Sequence, residues 1–304
     1  MPHLFTCPHC DAKTQVEDRY SGHSGECFNC GATIQLPHFA DTSPSYGGAG
    51  GKRAKQPLGV FVAAGIVLIL LVCLGFAALR FGGSSVRRLG QVRLRNASIS
   101  NLESIAAALN AYAADHGTYP PSVLRDSAGK PLHSWRVLIL PYLNEQELYD
   151  QFDLSQPWNA EINLQASYAM PSAYEHPATA TGFQNQPGYV LLTGPQTLFP
   201  NGKPGSPDTI ADDPAQTILV IGGKPAVSVN IGSWAEPIDL PFSAMQGMIN
   251  GTVGVEPGGW LEDGVTMATV DGRGHFVSEE MSPDTFRALV TPSGGELLPD
   301  STLD

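Results

Sequence analysis

The longest uninterrupted apolar run of the chain extends from Leu58 to Leu79 and contains neither a charged residue nor a proline. At ~1.5 Å of rise per residue, a helix of this length covers the ~30 Å hydrocarbon core of a bilayer. The pattern therefore predicts one transmembrane helix over residues 58–80. A cysteine-rich segment precedes the run and no clean small-residue cleavage site follows it, so we interpret it as an uncleaved anchor and not as a signal peptide.

A second helical pattern follows a predicted break at Gly82–Ser85. From Val86 to His116, apolar side chains recur every three or four residues, which places them on one face of an amphipathic helix: Ile99, Leu102, Ile105, Leu109 and Tyr112. Gly117 and the pair Pro120-Pro121 are expected to end this helix.

The remainder of the chain is rich in strand and turn signals. Val265–Val270 and Gly274–Ser278 are expected to form a hairpin joined at Asp271-Gly272, because glycine adopts a positive φ at little cost. Residues 188–193 and 217–222 are two further strand candidates, and Ser282-Pro283-Asp284 carries the signals that open a short helix. The predicted fold class is α+β, with a long helix packed on a mostly antiparallel sheet.

Charge divides the chain into two unequal parts. Residues 1–95 hold 10 Lys/Arg and 5 Asp/Glu, whereas residues 96–304 hold 7 Lys/Arg and 24 Asp/Glu. The acidic part lacks the positive charge that neutralises phosphate backbones, so we expect no nucleic-acid binding by the large domain. It also lacks cysteine, because Cys73 is the last cysteine in the sequence.

The N-terminal 38 residues have the spacing of a zinc ribbon. Cys7 and Cys10 form one Cys-x-x-Cys pair, and Cys27 and Cys30 form a second pair sixteen residues later. Two such turns close a tetrahedral four-thiolate zinc site. We predict one structural zinc ion held by these four residues, without His9 or His23 as ligands. Residues 39–57 are small, polar and glycine-rich, as is typical of a flexible linker.

Several segments, in this order, resemble those of one large family of uncharacterised bacterial proteins. They are Leu102–Pro121, Ser134–Leu143, Leu148–Asn159, Trp234–Pro241, Val265–Ser278 and Thr285–Glu296. That family resembles the major pseudopilin of type II secretion and carries a C-terminal H-x9-DG motif. The resemblance extends over residues 85–297 and implies a pseudopilin-like extracytoplasmic domain, to which we assign residues 85–304.

The chain departs from the family pattern in two respects. The zinc ribbon stands where members carry a prepilin leader, and Gly59 is followed by Val60 and Phe61 without the glutamate that assembled pili require. Only the Asp271-Gly272 half of the H-x9-DG motif is present, since position 261 is Leu. We therefore expect the chain to escape prepilin peptidase and to remain full length.

Two arguments about orientation conflict. Arginines at positions 80, 87, 88, 93 and 95 favour a cytoplasmic C-terminal side by the positive-inside rule. A four-thiolate site is best preserved in a reducing compartment, and the resemblance implies an exported large domain. We predict an inner-membrane protein with a cytoplasmic N-terminus and an extracytoplasmic C-terminal domain.

No motif of catalysis organises the polar residues of the large domain, which contain no HExxH, GxSxG or P-loop pattern. His133 and His275 are interpreted as structural or surface residues and Asp271 as a turn residue. A calcium site at Asp208, Asp212 and Asp213 remains an alternative to simple solvation of these acids.

The predicted function follows from these features. We expect a membrane-anchored, pseudopilin-like structural or interaction protein of the bacterial envelope, without catalytic activity, whose partners are the lipid bilayer and envelope proteins. The alternative is a transmembrane signalling or regulatory protein whose zinc ribbon contacts a cytoplasmic protein or nucleic acid.

Overall fold

A computed structural model of the chain describes residues 2–39, 58–179, 185–200, 203–228 and 233–303. Side chains are not described at 58–65, 73–86 and 300. Most of the predicted linker, from residue 40 to residue 57, lies outside the described residues. The chain divides into two compact units, Met1–Val72 and Cys73–Asp304.

The first unit contains two short β-hairpins. Strands β1 (His3–Thr6) and β2 (Lys13–Val16) pair antiparallel, and β3 (Ser24–Glu26) pairs in the same way with β4 (Thr33–Gln35). Each hairpin presents one Cys-x-x-Cys segment at its turn.

Helix α1 (Leu58–His116) is the longest element. The predicted break at Gly82–Ser85 is wrong, because the backbone stays helical through these residues. Glycine costs only ~1 kcal/mol relative to alanine inside a helix, and α1 contains no proline. The helix ends at His116, and the positive φ of 75° at the following Gly117 fits the predicted C-terminal signal.

The predicted transmembrane helix over 58–80 is wrong for the residues that the structure describes, among which no helix has the length and apolar character of a membrane span. A span needs about 20 consecutive apolar residues. The described side chains of this range are only the seven from Ile66 to Val72. The side chains at 58–65 and 73–80 lie outside the described residues.

The second unit has an antiparallel four-stranded sheet as its centre. Its strand order is β12 (Gly274–Ser278), β11 (Gly264–Thr269), β9 (Ile218–Gly222) and β7 (Tyr189–Val190). Both predicted hairpin strands form, although the connecting loop covers Val270–Arg273 and is longer than the predicted pair. The strand expected over 188–193 is divided, because β8 (Leu192–Thr193) leaves the sheet and pairs parallel with β10 (Leu240–Pro241).

The remaining elements are short. Strands β5 (Val123–Arg125) and β6 (Pro131–Ser134) form a hairpin, and four helices follow α1: α2 (Trp135–Leu138), α3 (Gln146–Tyr149), α4 (Glu161–Ala166) and α5 (Pro283–Val290). Single 3-10 turns occur at Asp18–Tyr20, Leu140–Leu143, Ser172–Tyr174, Pro207–Thr209, Pro214–Gln216, Phe242–Ala244 and Asp300–Leu303. Ser282 caps α5 as predicted, since its side chain accepts a hydrogen bond from Thr285 N.

Hydrophobic cores form on both faces of the sheet. On one face, Leu102, Ile105 and Leu109 of α1 are fully buried against a cluster that includes Ala268, and on the other, Met267 packs with Phe286 and Leu289 of α5. Adjacent residues of β11 thus supply opposite cores, as the twofold repeat of a strand requires. The α+β class with a helix on a mostly antiparallel sheet is confirmed for this unit, and α5 adds a covering layer on the second face.

Candidate metal centre

The four predicted cysteines come together in the first unit. The sulfur atoms of Cys7, Cys10, Cys27 and Cys30 all lie within 4.8 Å of one another. Cys7 Sγ is 3.9 Å from Cys30 Sγ, and Cys10 Sγ is 3.7 Å from Cys27 Sγ. A tetrahedral ion with metal–sulfur bonds of ~2.3 Å needs sulfur atoms about 3.8 Å apart. The cluster therefore has the size that a tetrahedral metal ion requires.

Each cysteine pair sits in a tight turn that orients both thiols inward. The amide of Cys7 donates to Ala12 O at 2.9 Å, and that of Cys27 donates to Ala32 O at 2.9 Å. The residue after the second cysteine adopts a positive φ in both turns, 53° at Asp11 and 71° at Gly31. The two hairpins thus repeat one local geometry, and Cys7 and Cys27 occupy equivalent, buried positions within it.

Backbone and side-chain donors favour thiolates at two of the four positions. The amides of Cys30 and Asn29 lower the pKa of Cys27 to about 6. The Asn29 side chain, which lies 3.6 Å from Cys10 Sγ, is the main cause of a lowered pKa at Cys10. At Cys30 the Ala32 amide acts in the same direction, but the Cys10 thiol, burial and the other two thiols outweigh it and raise the pKa to about 12.

The pKa is lowered at Cys10 and Cys27 but raised at Cys30, so a bound cation is needed to keep all the thiols deprotonated. Four thiolates at this spacing repel one another, and the positive charge of a divalent ion bound between them would offset this repulsion and keep the coordinating thiols deprotonated. Neither His9 nor His23 joins the cluster among the described residues. His9 instead contributes its backbone amide, 3.5 Å from Cys7 Sγ. The four cysteines fit a metal ion, as the sequence predicts.

A small apolar cleft of about 230 Å³ lies between the two hairpins beside the cysteines. Phe5, Val16, Ile34 and Leu36 line it. Phe28, within the second Cys-x-x-Cys turn, leaves 75% of its surface exposed. The first unit therefore presents apolar surface next to the cysteine cluster, a feature that the cysteine spacing does not indicate.

Two of the three alternative calcium ligands in the second unit, Asp212 and Asp213, are engaged elsewhere. Asp212 accepts hydrogen bonds from the amides of Gly294 and Gly295, and Asp213 caps a 3-10 turn through Ala215 N. Within the described part of the chain, the four cysteines are the group of ligand residues close enough to hold a metal ion. The calcium alternative therefore has no geometric support at Asp208, Asp212 and Asp213.

Sequence reasoning missed a buried polar cluster at the centre of the second unit. Ser98 Oγ lies 2.6 Å from Thr266 Oγ1, 3.0 Å from the Tyr189 hydroxyl and 3.2 Å from His176 Nε2. Ser98 precedes Leu102 by four residues, so the helical spacing that identified the apolar face also places Ser98 on it.

The tautomer of His176 determines what this cluster can do. The amide of Ala178 donates to His176 Nδ1 at 3.1 Å, so the proton of the neutral ring is on Nε2 and points to Ser98 Oγ. Burial and, to a lesser extent, Lys224 lower the pKa of His176 to about 3. Because the His176 ring donates a hydrogen bond to Ser98 Oγ, it cannot also remove the proton of the serine hydroxyl. The hydrogen bonds of this cluster are therefore structural.

The other histidines singled out from the sequence have structural surroundings. His133 is fully buried, with Nε2 3.1 Å from Asp153 O, and burial lowers its pKa. His275 lies between Thr269 Oγ1 and Leu303 O, at 3.3 and 3.1 Å. Asp271 binds the loop that joins β11 and β12 through Thr269 Oγ1 and the Arg273 amide, which agrees with its interpretation as a turn residue.

Residues 95–227 match the model of a family described as proteins of unknown function (DUF1559). The match covers a little under half of the chain and lies within the range of the resemblance seen in the sequence. It includes residues 95–116 of α1 and the segments around Trp135 and Tyr189. No curated protein and no solved structure matches the chain.

Proposed function

We propose that this protein is a non-catalytic interaction protein of the bacterial envelope, with a pseudopilin-like second unit and a structural zinc ion in its N-terminal ribbon. The observation that carries the proposal is the organisation of the second unit. Its polar centre around Ser98 is closed by neutral hydrogen bonds, and α1 is buried along one face of an antiparallel sheet. The Ser98 cluster offers no activated nucleophile among the described residues, which supports a role in interaction and not in catalysis.

Zinc is the metal proposed for the cysteine cluster. Four thiolates in tetrahedral spacing suit zinc, and a closed set of four protein ligands suits a structural role, because no coordination position remains for substrate. The ion would hold together two hairpins that are too small to build a core of their own.

We place the second unit outside the cytoplasm, in line with its lack of cysteine after Cys73 and with the resemblance of its segments. A test is protease added to spheroplasts, followed by detection of epitopes in each unit. Digestion of the unit Cys73–Asp304 is the expected result. Protection of this unit would contradict the extracytoplasmic location.

The alternative, a regulatory protein acting through its ribbon, is favoured by one observation. The cleft lined by Phe5 and Ile34, together with exposed Phe28, offers apolar area suited to a protein partner. Residues 2–39 carry two basic and four acidic side chains, which disfavours nucleic acid. Affinity capture with intact protein and with a Phe28→Ser variant tests this role, and equal capture by both would argue against it.

A further inference from the structure

The segment of α1 from Arg87 to Arg93, here called the basic arm, is a largely exposed stretch of helix. Arg87, Arg88 and Arg93 are exposed, and so are the apolar residues Leu89 and Val92, at 63% and 48%. Among the described residues, no carboxylate pairs with these three arginines. Arg95, two residues further on, is bound to Asp263 at 2.6 Å.

The opposite end of the same helix carries a surface of complementary chemistry, here called the tyrosine patch. It consists of the half-buried rings of Tyr112, Tyr142 and Tyr149 and the nearby exposed acids Asp115, Glu147 and Asp150. Tyr142 lies edge-on to Tyr112, with ring centroids 5.8 Å apart, and its hydroxyl donates to Asp115 Oδ2 at 3.0 Å. Aromatic faces and carboxylates together are the partners that guanidinium groups prefer.

The stretch of chain that supplies Tyr142 and Tyr149 carries charge of one sign. Between Val137 and Gly202 the chain contains six acids and no Lys or Arg. The patch therefore attracts cations, while the arm holds three of the exposed arginines of an otherwise acidic unit. An acidic body also opposes the approach of the arm to an anionic lipid or nucleic-acid surface.

The arm of one molecule cannot reach its own patch. Arg88 and Tyr112 belong to one continuous helix, and 24 residues at ~1.5 Å rise separate them by roughly 36 Å. An arm–patch contact must therefore join two molecules. Because the contact uses two different surfaces, it is head-to-tail and leaves a free arm at one end and a free patch at the other.

We propose that the basic arm docks on the tyrosine patch of a second copy of this chain, so that the protein associates head-to-tail. This inference names a partner for the proposed interaction role and rests on that role. Its failure leaves the wider proposal intact, because the location of the second unit is tested separately by protease protection.

The test is sedimentation of the full-length chain over a range of concentrations, at low and at high ionic strength. For the wild type, we expect the average mass to rise beyond that of a dimer at low salt and to fall at high salt, where exposed charges are screened. Arg87→Glu/Arg88→Glu should weaken association at least about tenfold. Lys130→Glu/Lys203→Glu makes the same charge change at exposed sites outside both surfaces and should leave association near the wild-type level.

Charge exchange separates a specific contact from a general charge effect. Glu147→Lys/Asp150→Lys should also weaken association, and an equimolar mixture of this variant with Arg87→Glu/Arg88→Glu should restore it. Circular dichroism verifies that each variant is folded. A monomeric wild type at low salt, association that stops at a dimer, or equal association of the arm variant and the wild type would overturn the proposal. If the wild type is monomeric and its arm instead binds vesicles containing anionic lipid, the occupant is a lipid surface and the proposal fails.

Discussion

Arg136 Nη2 lies 3.1 Å from Asp239 Oδ1 in the core of the second unit, where the two side chains are 0% and 3% exposed. Arg136 also donates to the backbone oxygen of Tyr189, and Asp239 Oδ1 accepts from Trp135 Nε1 and the amide of Leu191. Burial raises the pKa of Asp239 and lowers that of Arg136, while each charge offsets part of the shift of the other. The pair joins α2 to the segment before β10 and to the loop between β7 and β8.

Removing one member of this pair is expected to be strongly destabilising. Arg136→Met leaves the Asp239 carboxylate buried without its counter-charge, which costs ~3–5 kcal/mol of unfolding free energy. The measurement is urea unfolding at pH 7. Arg136→Met/Asp239→Leu should lose less than the sum of the two single variants, and strict additivity would contradict the coupling.

An exposed pair of the same chemistry provides the control. Arg273 Nε lies 3.3 Å from Asp271 Oδ2, and the arginine side chain is 77% exposed. Arg273→Met is expected to cost less than about 1 kcal/mol, since solvent screens the pair.

The sequence places both members of this pair in recognisable segments, but it does not indicate that the two side chains contact each other. Arg136 and Asp239 lie in two separate segments of the family resemblance, Ser134–Leu143 and Trp234–Pro241. Their contact joins positions about a hundred residues apart, and no local period encodes such a contact. The same limit applies to Ser98, whose helical face is readable from spacing but whose partners Tyr189 and Thr266 come from distant strands.

Local sequence signals predict the structure most accurately where one short motif determines the local backbone geometry. The Cys-x-x-Cys turns, the cap at Ser282 and the hairpin strands around Asp271 are all of this kind. The break at Gly82–Ser85 failed because helix propensity is a weak preference that a long helix overrides. The transmembrane helix was inferred from the length of one apolar run, Leu58–Leu79, and the described part of the chain contains no helix that could span a membrane.

Loss of one cysteine ligand should unfold the ribbon. Cys27→Ser removes a buried ligand, and because metal binding and folding of such small units are coupled, the ribbon should lose both its zinc and its hairpin structure. Elemental analysis of the purified full-length protein should give about one zinc per chain for the wild type and much less for the variant. His9→Gln, a change within the same turn at a residue outside the cluster, should retain the metal. Wild-type protein that is folded in the ribbon without zinc would refute the structural role of the ion.

Gly272 has φ +88° in the loop between β11 and β12, with open space where a Cβ would lie. Gly272→Ala therefore meets no clash and should cost ~1–2 kcal/mol through backbone strain alone. Gly90→Ala is the matched comparison, because Gly90 is helical and equally uncrowded. That change should leave stability equal or raise it by up to ~1 kcal/mol. Equal effects of the two substitutions in urea unfolding would show that φ at position 272 is not the cause.

Stability should fall when the solution is acidified, and His176 should account for a large part of the loss. Its pKa is about 3 in the folded state against 6.5 as the ordinary value. Between these values the unfolded chain binds a proton that the folded chain excludes, so the free energy of unfolding decreases as pH falls from about 6.5 toward 3. The slope from this residue approaches about 1.4 kcal/mol per pH unit in the middle of that window.

In His176→Gln, urea unfolding between pH 7 and pH 4 should show a shallower slope, together with lower stability at pH 7 from the changed contacts with Ser98 and Trp260. A His176→Gln slope equal to that of the wild type would place the pH dependence elsewhere.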